Sequence, residues 1–147
     1  MSKTCKNWTQ WLSQTRFASL SEAQRIQTLN WLQAVGDVII NSARIKEGDT
    51  VIDIGTGTGL LAFKALDALN GTGCVIFSDK FQDCLDTCQE FINSANVKGN
   101  YKMLQSPADQ IDLPDESVDK AVMRSVLVHI VEKQPAISEI CRVLKKG

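Results

Sequence analysis

Four short apolar runs alternate along the chain with longer stretches that carry an apolar residue at every third or fourth position. The runs have the composition of strands and cover Val51–Ile54, Cys74–Ser78, Tyr101–Leu104 and Lys120–Met123. The stretches between and after them predict helices from about Leu60 to Leu69, Phe81 to Asn96 and Gln134 to Lys145. Strands that alternate with helices are typical of βαβ units, so the pattern predicts an α/β fold with a parallel sheet.

Residues 1 to about 47 have helical character. Ser19 and Glu22 have the S-x-x-E spacing of a capping box at a helix start. The apolar residues after them recur on one helix face: Ile26, Leu29, Leu32, Val35 and Ile39. An earlier, shorter helix carries aromatic and apolar residues: Trp8, Trp11, Leu12 and Phe17. Packing is the ordinary role of such aromatic side chains, and a lid over a ligand site is the alternative.

Two later helices also have predicted inward faces. The helix from Phe81 to Asn96 carries one apolar face: Leu85, Cys88, Ile92 and Ala95. The last helix carries another: Ile137, Ile140, Cys141 and Leu144. Apolar residues at this spacing predict that both helices pack against the sheet.

Three glycines follow the first strand at every second position, in the order Asp53-x-Gly55-x-Gly57-x-Gly59. A strand, a glycine-rich turn and a helix in this order place unpaired N–H groups and the positive end of the helix dipole towards a ligand. Glycine permits a positive φ and a close approach of a ligand to the backbone. The turn therefore predicts a binding loop, with Asp53 as a carboxylate beside it.

A second carboxylate supports this interpretation. Asp79 ends the second strand, about 20 residues after the last glycine of the turn, a spacing at which an acidic residue can accept hydrogen bonds from ribose hydroxyls. The dinucleotide fingerprint G-x-G-x-x-G has its third glycine one position later than this turn does. The spacing therefore favours a nucleoside-bearing ligand other than a dinucleotide.

The sequence D-x-G-x-G-x-G resembles the first motif of class I S-adenosylmethionine-dependent methyltransferases, whose loop wraps the methionine end of the cofactor. The segment with Ala108 and Asp109 is similar to the family segment that meets the adenine, so the resemblance implies that Asp109 accepts from its amino group. By the same resemblance, the backbone near Arg124 and Ser125 meets the methionine end. Phe81 is expected either to pack on the adenine or to pack its own helix.

The resemblance thus implies a set of cofactor-binding residues: Asp53, Gly55, Thr56, Gly57, Gly59, Asp79, Lys80, Phe81, Ala108, Asp109, Arg124 and Ser125. No catalytic base is assigned. His129, the single histidine, follows the fourth strand, where it could serve as a base, but a histidine in an apolar run is more often a packing residue.

The resemblance is closest to small-molecule methyltransferases such as those of ubiquinone and menaquinone biosynthesis. It covers about Lys46 to Gly147 and includes the final segment E-x-x-R-V-L-K-x-G. The family fold is a Rossmann-like, doubly wound sheet of seven strands, of which four are predicted here in the order 3-2-1-4. We therefore expect a helical segment over 1–47 and the cofactor-binding half of a methyltransferase domain over 48–147, cut before strand five.

Two expectations follow from that division. Strand four should present an exposed edge through which chains associate, and cofactor binding should be weak or partial, with little activity. In many members of the family the N-terminal helices cover the cofactor. On that interpretation, deleting residues 1–20 should weaken substrate selection more than folding.

Composition narrows the alternatives. The 147 residues are 44% hydrophobic and 22% charged with a net charge of −1, which gives no general attraction to nucleic acid or anionic membranes. No apolar run reaches the ~20 residues of a membrane span. Five cysteines without a framework spacing argue against a disulfide scaffold and favour a reducing, cytoplasmic setting. One histidine, with Cys84 and Cys88, does not complete a metal site.

Two other functions remain open from the sequence. One is an NAD(P)-dependent Rossmann oxidoreductase, which protection by a nicotinamide cofactor would reveal and which the glycine spacing disfavours. The other is a non-catalytic adenosine-cofactor-binding or interaction module, which the three aspartates disfavour. The resemblance implies a small-molecule methyl acceptor, with S-adenosylmethionine as donor and S-adenosylhomocysteine as product.

Overall fold

The computed structural model describes residues 3–147 and contains one sheet of four parallel strands in the order β3-β2-β1-β4. The helices are α1 (Lys3–Gln14), α2 (Glu22–Ala43), α3 (Leu60–Leu69), α4 (Gln82–Ala95) and α5 (Lys133–Val143). The strands are β1 (Thr50–Ile54), β2 (Cys74–Asp79), β3 (Tyr101–Gln105) and β4 (Lys120–Met123). The predicted α/β class and strand order are confirmed.

The two faces of the sheet have separate cores. Because side chains alternate along a strand, Val51 of β1 points to one face and Ile52 to the other. The Val51 face packs against α1, α2, α3 and α4 in one large apolar cluster. The Ile52 face packs against α5 and the loop before β4, through Val143 and Val118. Helices on both faces give the doubly wound arrangement.

Helix α1 belongs to the larger core. Trp8 and Leu12 are buried in it, and the Trp11 ring lies 5.5 Å from the ring of Phe91 in α4. These contacts confirm the packing role of the aromatics, and they show that α1 packs with the sheet domain. The lid interpretation of residues 1–47 stays a prediction.

The predicted start and inward face of α2 need correction. The capping box begins at Ser21, whose hydroxyl accepts from the Gln24 N–H while the Gln24 side chain accepts from the Ser21 N–H. The Ser19–Glu22 assignment is wrong because glutamine serves as well as glutamate at the third position. Ile26 is 53% exposed. The buried residues of the helix are Leu29, Leu32, Gln33, Gly36 and Ile40.

The predicted face of the last helix is also displaced. Ala136 and Val143 are fully buried on α5, whereas Ile137 and Cys141 are exposed. Short helices with apolar residues on several sides do not specify the rotation that the sheet selects. The predicted inward role of Ile140 and Leu144 holds, because both pack on the smaller core.

Strand β4 is one of the two edge strands of the sheet within residues 3–147, and β3 is the other. Just before it, Val118 exchanges backbone hydrogen bonds with the end of α5 and the residues after it, with Val118 N–H donating to Val143 and Lys145 N–H donating to Val118. These hydrogen bonds cover the residues just before β4. The side of β4 that faces away from β1 has no neighbouring strand and is the open edge. Every helix in this described part of the chain is too short or too polar to traverse a bilayer.

Candidate cofactor site

A cleft of about 720 Å³ opens at the carboxyl ends of the strands, the edge where doubly wound sheets bind ligands. Its volume lies within the range of small-ligand sites. Eight of the predicted residues line it: Gly55, Asp79, Lys80, Phe81, Ala108, Asp109, Arg124 and Ser125. The other four, Asp53, Thr56, Gly57 and Gly59, form the glycine-rich loop and its support behind the cleft.

The glycine-rich loop is tied to the end of β2. The Thr56 N–H donates to the Ser78 carbonyl at 2.9 Å, and the Gly57 N–H donates to the Asp79 carboxylate at 3.0 Å. Within the loop, the Gly59 N–H donates to the Thr56 carbonyl at 2.8 Å. The backbone of the loop therefore has a defined position before any ligand binds.

Two glycines of the loop are needed for different reasons. Gly59 has φ +84°, and a Cβ there would lie 2.3 Å from a ring carbon of Phe63. Gly57 has φ +54°, and a Cβ there would meet no atom within 4 Å. Packing beneath the loop thus requires glycine at 59, whereas at 57 the backbone borders open space that a ligand could occupy.

Asp53 supports the loop from behind. Its carboxylate is buried and accepts hydrogen bonds from the Thr56 hydroxyl at 2.8 Å and the Ala62 N–H at 3.0 Å. The second bond satisfies an N–H of the first turn of α3. Burial raises the pKa of Asp53 to about 7, against the opposing effect of these two hydrogen bonds. Neither Asp53 nor Thr56 is among the residues that line the cleft.

Asp79 lies at the cleft wall with a fixed orientation. One carboxylate oxygen accepts from the Gly57 N–H, and the other accepts from the Phe81 N–H at 3.1 Å. The residue is buried, and it is the last residue of β2. A carboxylate held by two peptide groups loses little conformational freedom when a ligand hydroxyl binds it.

Asp109 is exposed on the far wall, in a loop organised by Ser106. The buried Ser106 hydroxyl donates to the Gln110 carbonyl at 2.6 Å and accepts from the Asp112 N–H at 3.1 Å. The structure thus brings Asp79 and Asp109 to one cleft and leaves Asp53 behind the loop. Of the three aspartates, two line the cleft and the third does not.

The remaining wall follows β4. Ser125 has φ +59°, and the guanidinium of Arg124 lies 5.8 Å from the ring centre of Trp31 in α2. His129 also lines the cleft. Sequence reasoning placed it here as a candidate base, and its role stays a prediction.

Several wall residues were not predicted: Cys84, Ser106, Pro107, Val126 and Ile130. Cys84 follows Phe81 by three residues, so helical spacing could have indicated it. Val126 could not be found in this way, because its relation to the glycine-rich loop is a tertiary contact. Among the described residues, no group of three or more His, Cys, Asp or Glu side chains could hold a metal ion.

Comparison with known proteins defines the class. The family described as "Methyltransferase domain" matches residues 45–147, which is most of the chain. The chain therefore belongs to this methyltransferase family, the class I S-adenosylmethionine-dependent type that the glycine motif resembles.

Individual relatives agree with this assignment. The ubiquinone/menaquinone biosynthesis C-methyltransferase UbiE of Francisella tularensis subsp. novicida is 32% identical over 74% of this chain and 43% of its own length. A SAM-dependent methyltransferase of Aquifex aeolicus superposes with a TM-score of 0.68 at 28% identity, covering 75% of this chain and 58% of its own. The chain thus spans less than half the length of the curated relative.

The fold alone does not define the reaction. The [4+2]-cyclase SpnF superposes with the same TM-score of 0.68 at 23% identity, covering 78% of this chain and 42% of its own. The residues of the cleft therefore have to support any functional assignment.

Proposed function

We propose that this chain forms the cofactor-binding part of an S-adenosylmethionine-dependent methyltransferase that acts on a small molecule. The observation that carries the proposal is Asp79, whose carboxylate is held by two backbone N–H groups on the wall of an open cleft beside the glycine-rich loop. The family match and the name of the curated relative support a small-molecule acceptor.

The residues of the cleft fit an adenosine group. Asp79 would accept from the ribose hydroxyls, because its carboxylate already faces the cleft in a fixed orientation. Asp109 would accept from the adenine amino group, and the Phe81 ring, which is 57% exposed, offers an apolar surface to the base. Gly55 and Gly57 would let the methionine portion approach the backbone, with Lys80, Ala108, Arg124 and Ser125 completing the walls.

When bound, S-adenosylmethionine supplies a methyl group that its sulfonium has already activated. The residues of this chain then have mainly to bind and orient the two reactants. Arg124 could pair with an anionic group of the acceptor, since its guanidinium lies at the cleft wall beside Trp31. No residue is proposed as a catalytic base, although His129 stands in a suitable place.

The test is calorimetric titration of the chain with S-adenosylhomocysteine, with Asp79→Asn and Asp86→Asn as a matched pair. Asp79→Asn places an amide N–H₂ against one of two backbone donors, so we expect binding to weaken at least about tenfold. Asp86 is an exposed residue of α4, the helix that follows β2, where it accepts from the Gln82 side chain, and asparagine keeps that acceptor. Absence of saturable binding by the unmodified chain would contradict the proposal.

Further parts of the proposal concern partners and location. The net charge of −1 supports the proposal that no nucleic acid binds. The four described free cysteines support a reducing, cytoplasmic location.

The open side of β4 supports self-association, which a strictly monomeric chain in concentration-dependent sedimentation would contradict. Residues 1–47 are proposed to shape the acceptor site and residues 48–147 to bind the cofactor.

A further inference from the structure

Three elements outside the glycine-rich loop hold its central peptide groups. Asp79 of β2 accepts from the Gly57 N–H, and the Cys88 thiol of α4 contacts the Gly57 carbonyl at 3.4 Å. The third contact comes from α1, where the Trp8 indole N–H donates to the Thr58 carbonyl at 2.8 Å. The contact from α1 joins residues that are 50 positions apart in the chain.

The Trp8 hydrogen bond fixes one particular peptide plane. The peptide between Thr58 and Gly59 has its carbonyl bonded to Trp8 and its N–H bonded to the Thr56 carbonyl. Both ends of this plane are therefore restrained, and its rotation would break one of the two bonds. This peptide ends at Gly59, the N-cap residue of α3, so its orientation helps to fix where that helix begins.

Trp8 is itself firmly held. Its side chain is 2% exposed, and Leu12, one turn along α1, is fully buried in the same core. The neighbouring Trp11 packs on the Phe91 ring of α4. The indole donor thus has a fixed position relative to the helices on which the loop rests.

We propose that Trp8 is a positioning residue for cofactor binding, which acts by holding the Thr58–Gly59 peptide of the glycine-rich loop in its binding orientation. The proposal rests on the proposed function of the cleft. It gives α1 a role in cofactor affinity from a position behind the loop. A purely structural Trp8 would affect stability without a specific effect on affinity.

The experiment compares Trp8→Phe with Trp11→Phe in the full chain. Trp8→Phe keeps an aromatic ring and removes the N–H donor, while Trp11→Phe makes the same replacement one turn away, at the Phe91 contact. For each variant, calorimetry measures the dissociation constant of S-adenosylhomocysteine, and thermal unfolding measures stability. We expect Trp8→Phe to raise the dissociation constant about 5- to 10-fold, the loss of one hydrogen bond, and Trp11→Phe to change it less than about 2-fold.

The outcomes separate this inference from the function on which it depends. If the unmodified chain binds S-adenosylhomocysteine and Trp8→Phe binds it within twofold of the same affinity, the positioning role is overturned and the function stands. If the unmodified chain does not bind, both are overturned. An equal loss of affinity in both tryptophan variants at equal loss of stability also overturns the positioning role.

A second measurement does not depend on the folding of Trp8→Phe. In the unmodified chain, the Trp8 indole N–H signal should exchange slowly with solvent and should shift when S-adenosylhomocysteine saturates the protein, because its acceptor belongs to the binding loop. The Trp11 indole signal serves as the reference from the same helix. A Trp8 signal that exchanges fast or stays unchanged at saturation would overturn the proposal.

Discussion

Two walls of the cleft differ in character. The glycine wall, the loop of residues 55–59 that lines the cleft through Gly55, is held by hydrogen bonds from β2, α4 and α1, and Asp53 supports it from behind. The β4 wall, residues 124–130, contains a short 3₁₀ turn in which no residue is buried, and Val128 is 75% exposed. Both walls lie at the carboxyl ends of the strands.

This difference indicates a division of roles. A wall whose backbone groups are already paired binds a ligand without a large ordering cost, which suits the constant partner of a methyltransferase, its cofactor. A wall with few buried side chains can adjust to its contacts, which suits the acceptor side. The contrast can be tested at several positions, beginning with the helix that supports the glycine wall.

Deletion of residues 1–20 should have the largest effect. It removes Trp8 and Leu12, whose truncation would cost about 3–5 and about 2–5 kcal/mol, so the total approaches the stability of a whole domain. We expect loss of the cooperative unfolding transition in circular dichroism. The exposed Ile26→Ala provides the control. A stable deletion variant with altered substrate selection would instead support the lid interpretation.

Gly59→Ala should destabilise the protein by about 3–5 kcal/mol in urea unfolding, because the new Cβ adds a clash with Phe63 to the strain of a positive φ. Gly71→Ala is the matched variant. Gly71 has the same φ of +84° with no atom near the added carbon, so we expect a cost of about 1–2 kcal/mol. Equal costs at the two positions would show that the loop is not tightly packed from below.

Asp53 should make stability depend on pH. Its pKa is raised from 3.8 to about 7 in the folded chain, so the folded state holds a proton that the unfolded state has released between these values. The unfolding free energy of the unmodified chain, relative to Asp53→Asn, should fall by roughly 2–4 kcal/mol as the pH rises from about 4 to 7 and stay constant above it.

Asp119 should make stability depend on pH in the opposite direction to Asp53. Its hydrogen bond with Lys145 lowers the pKa of the carboxyl, so its contribution to stability is present above its unfolded pKa and is lost as the pH falls. Asp119→Asn should therefore give a difference of opposite sign. Unfolding by urea at a series of pH values measures both. A flat difference for Asp53→Asn would contradict the burial of its carboxylate.

The contact between the two walls should show energetic coupling. A Cβ at Gly55 would lie 2.5 Å from a methyl carbon of Val126. Gly55→Ala therefore carries a clash that Val126→Ala should relieve, and the double-mutant cycle should give a coupling of about 1 kcal/mol. Additive effects in urea unfolding would mean that the β4 wall moves aside freely.

Substitutions on the β4 wall itself should have the smallest effect. Val128→Ser on this wall and Val131→Ser just after it change side chains that are 75% and 89% exposed, so each should alter the unfolding free energy by less than about 0.5 kcal/mol. A larger loss would show that this wall is packed more tightly than its exposure indicates. Both variants should keep the affinity for S-adenosylhomocysteine of the unmodified chain.

The predictable features were local ones. The bounds of α3 and β4 follow directly from the apolar pattern, and the glycine spacing located the glycine-rich loop. The start of α2 was misjudged because Ser19–Glu22 and Ser21–Gln24 both have capping-box spacing, and the choice depends on where the chain enters the core. The rotation of α5 was misjudged because packing on the sheet, which buries Ala136, selects among several apolar faces.

The sequence by itself determined the order of the elements, the glycine-rich loop and the family, because periodicity, turn residues and motif spacing are properties of neighbouring residues. Only the tertiary structure decided which aspartates reach the cleft. Asp53 and Asp79 look equivalent as residues at the ends of strands, yet the first is enclosed by Thr56 and Ala62 and the second opens to the cleft. The Trp8 contact with the loop depends likewise on packing between distant segments, which no local pattern encodes.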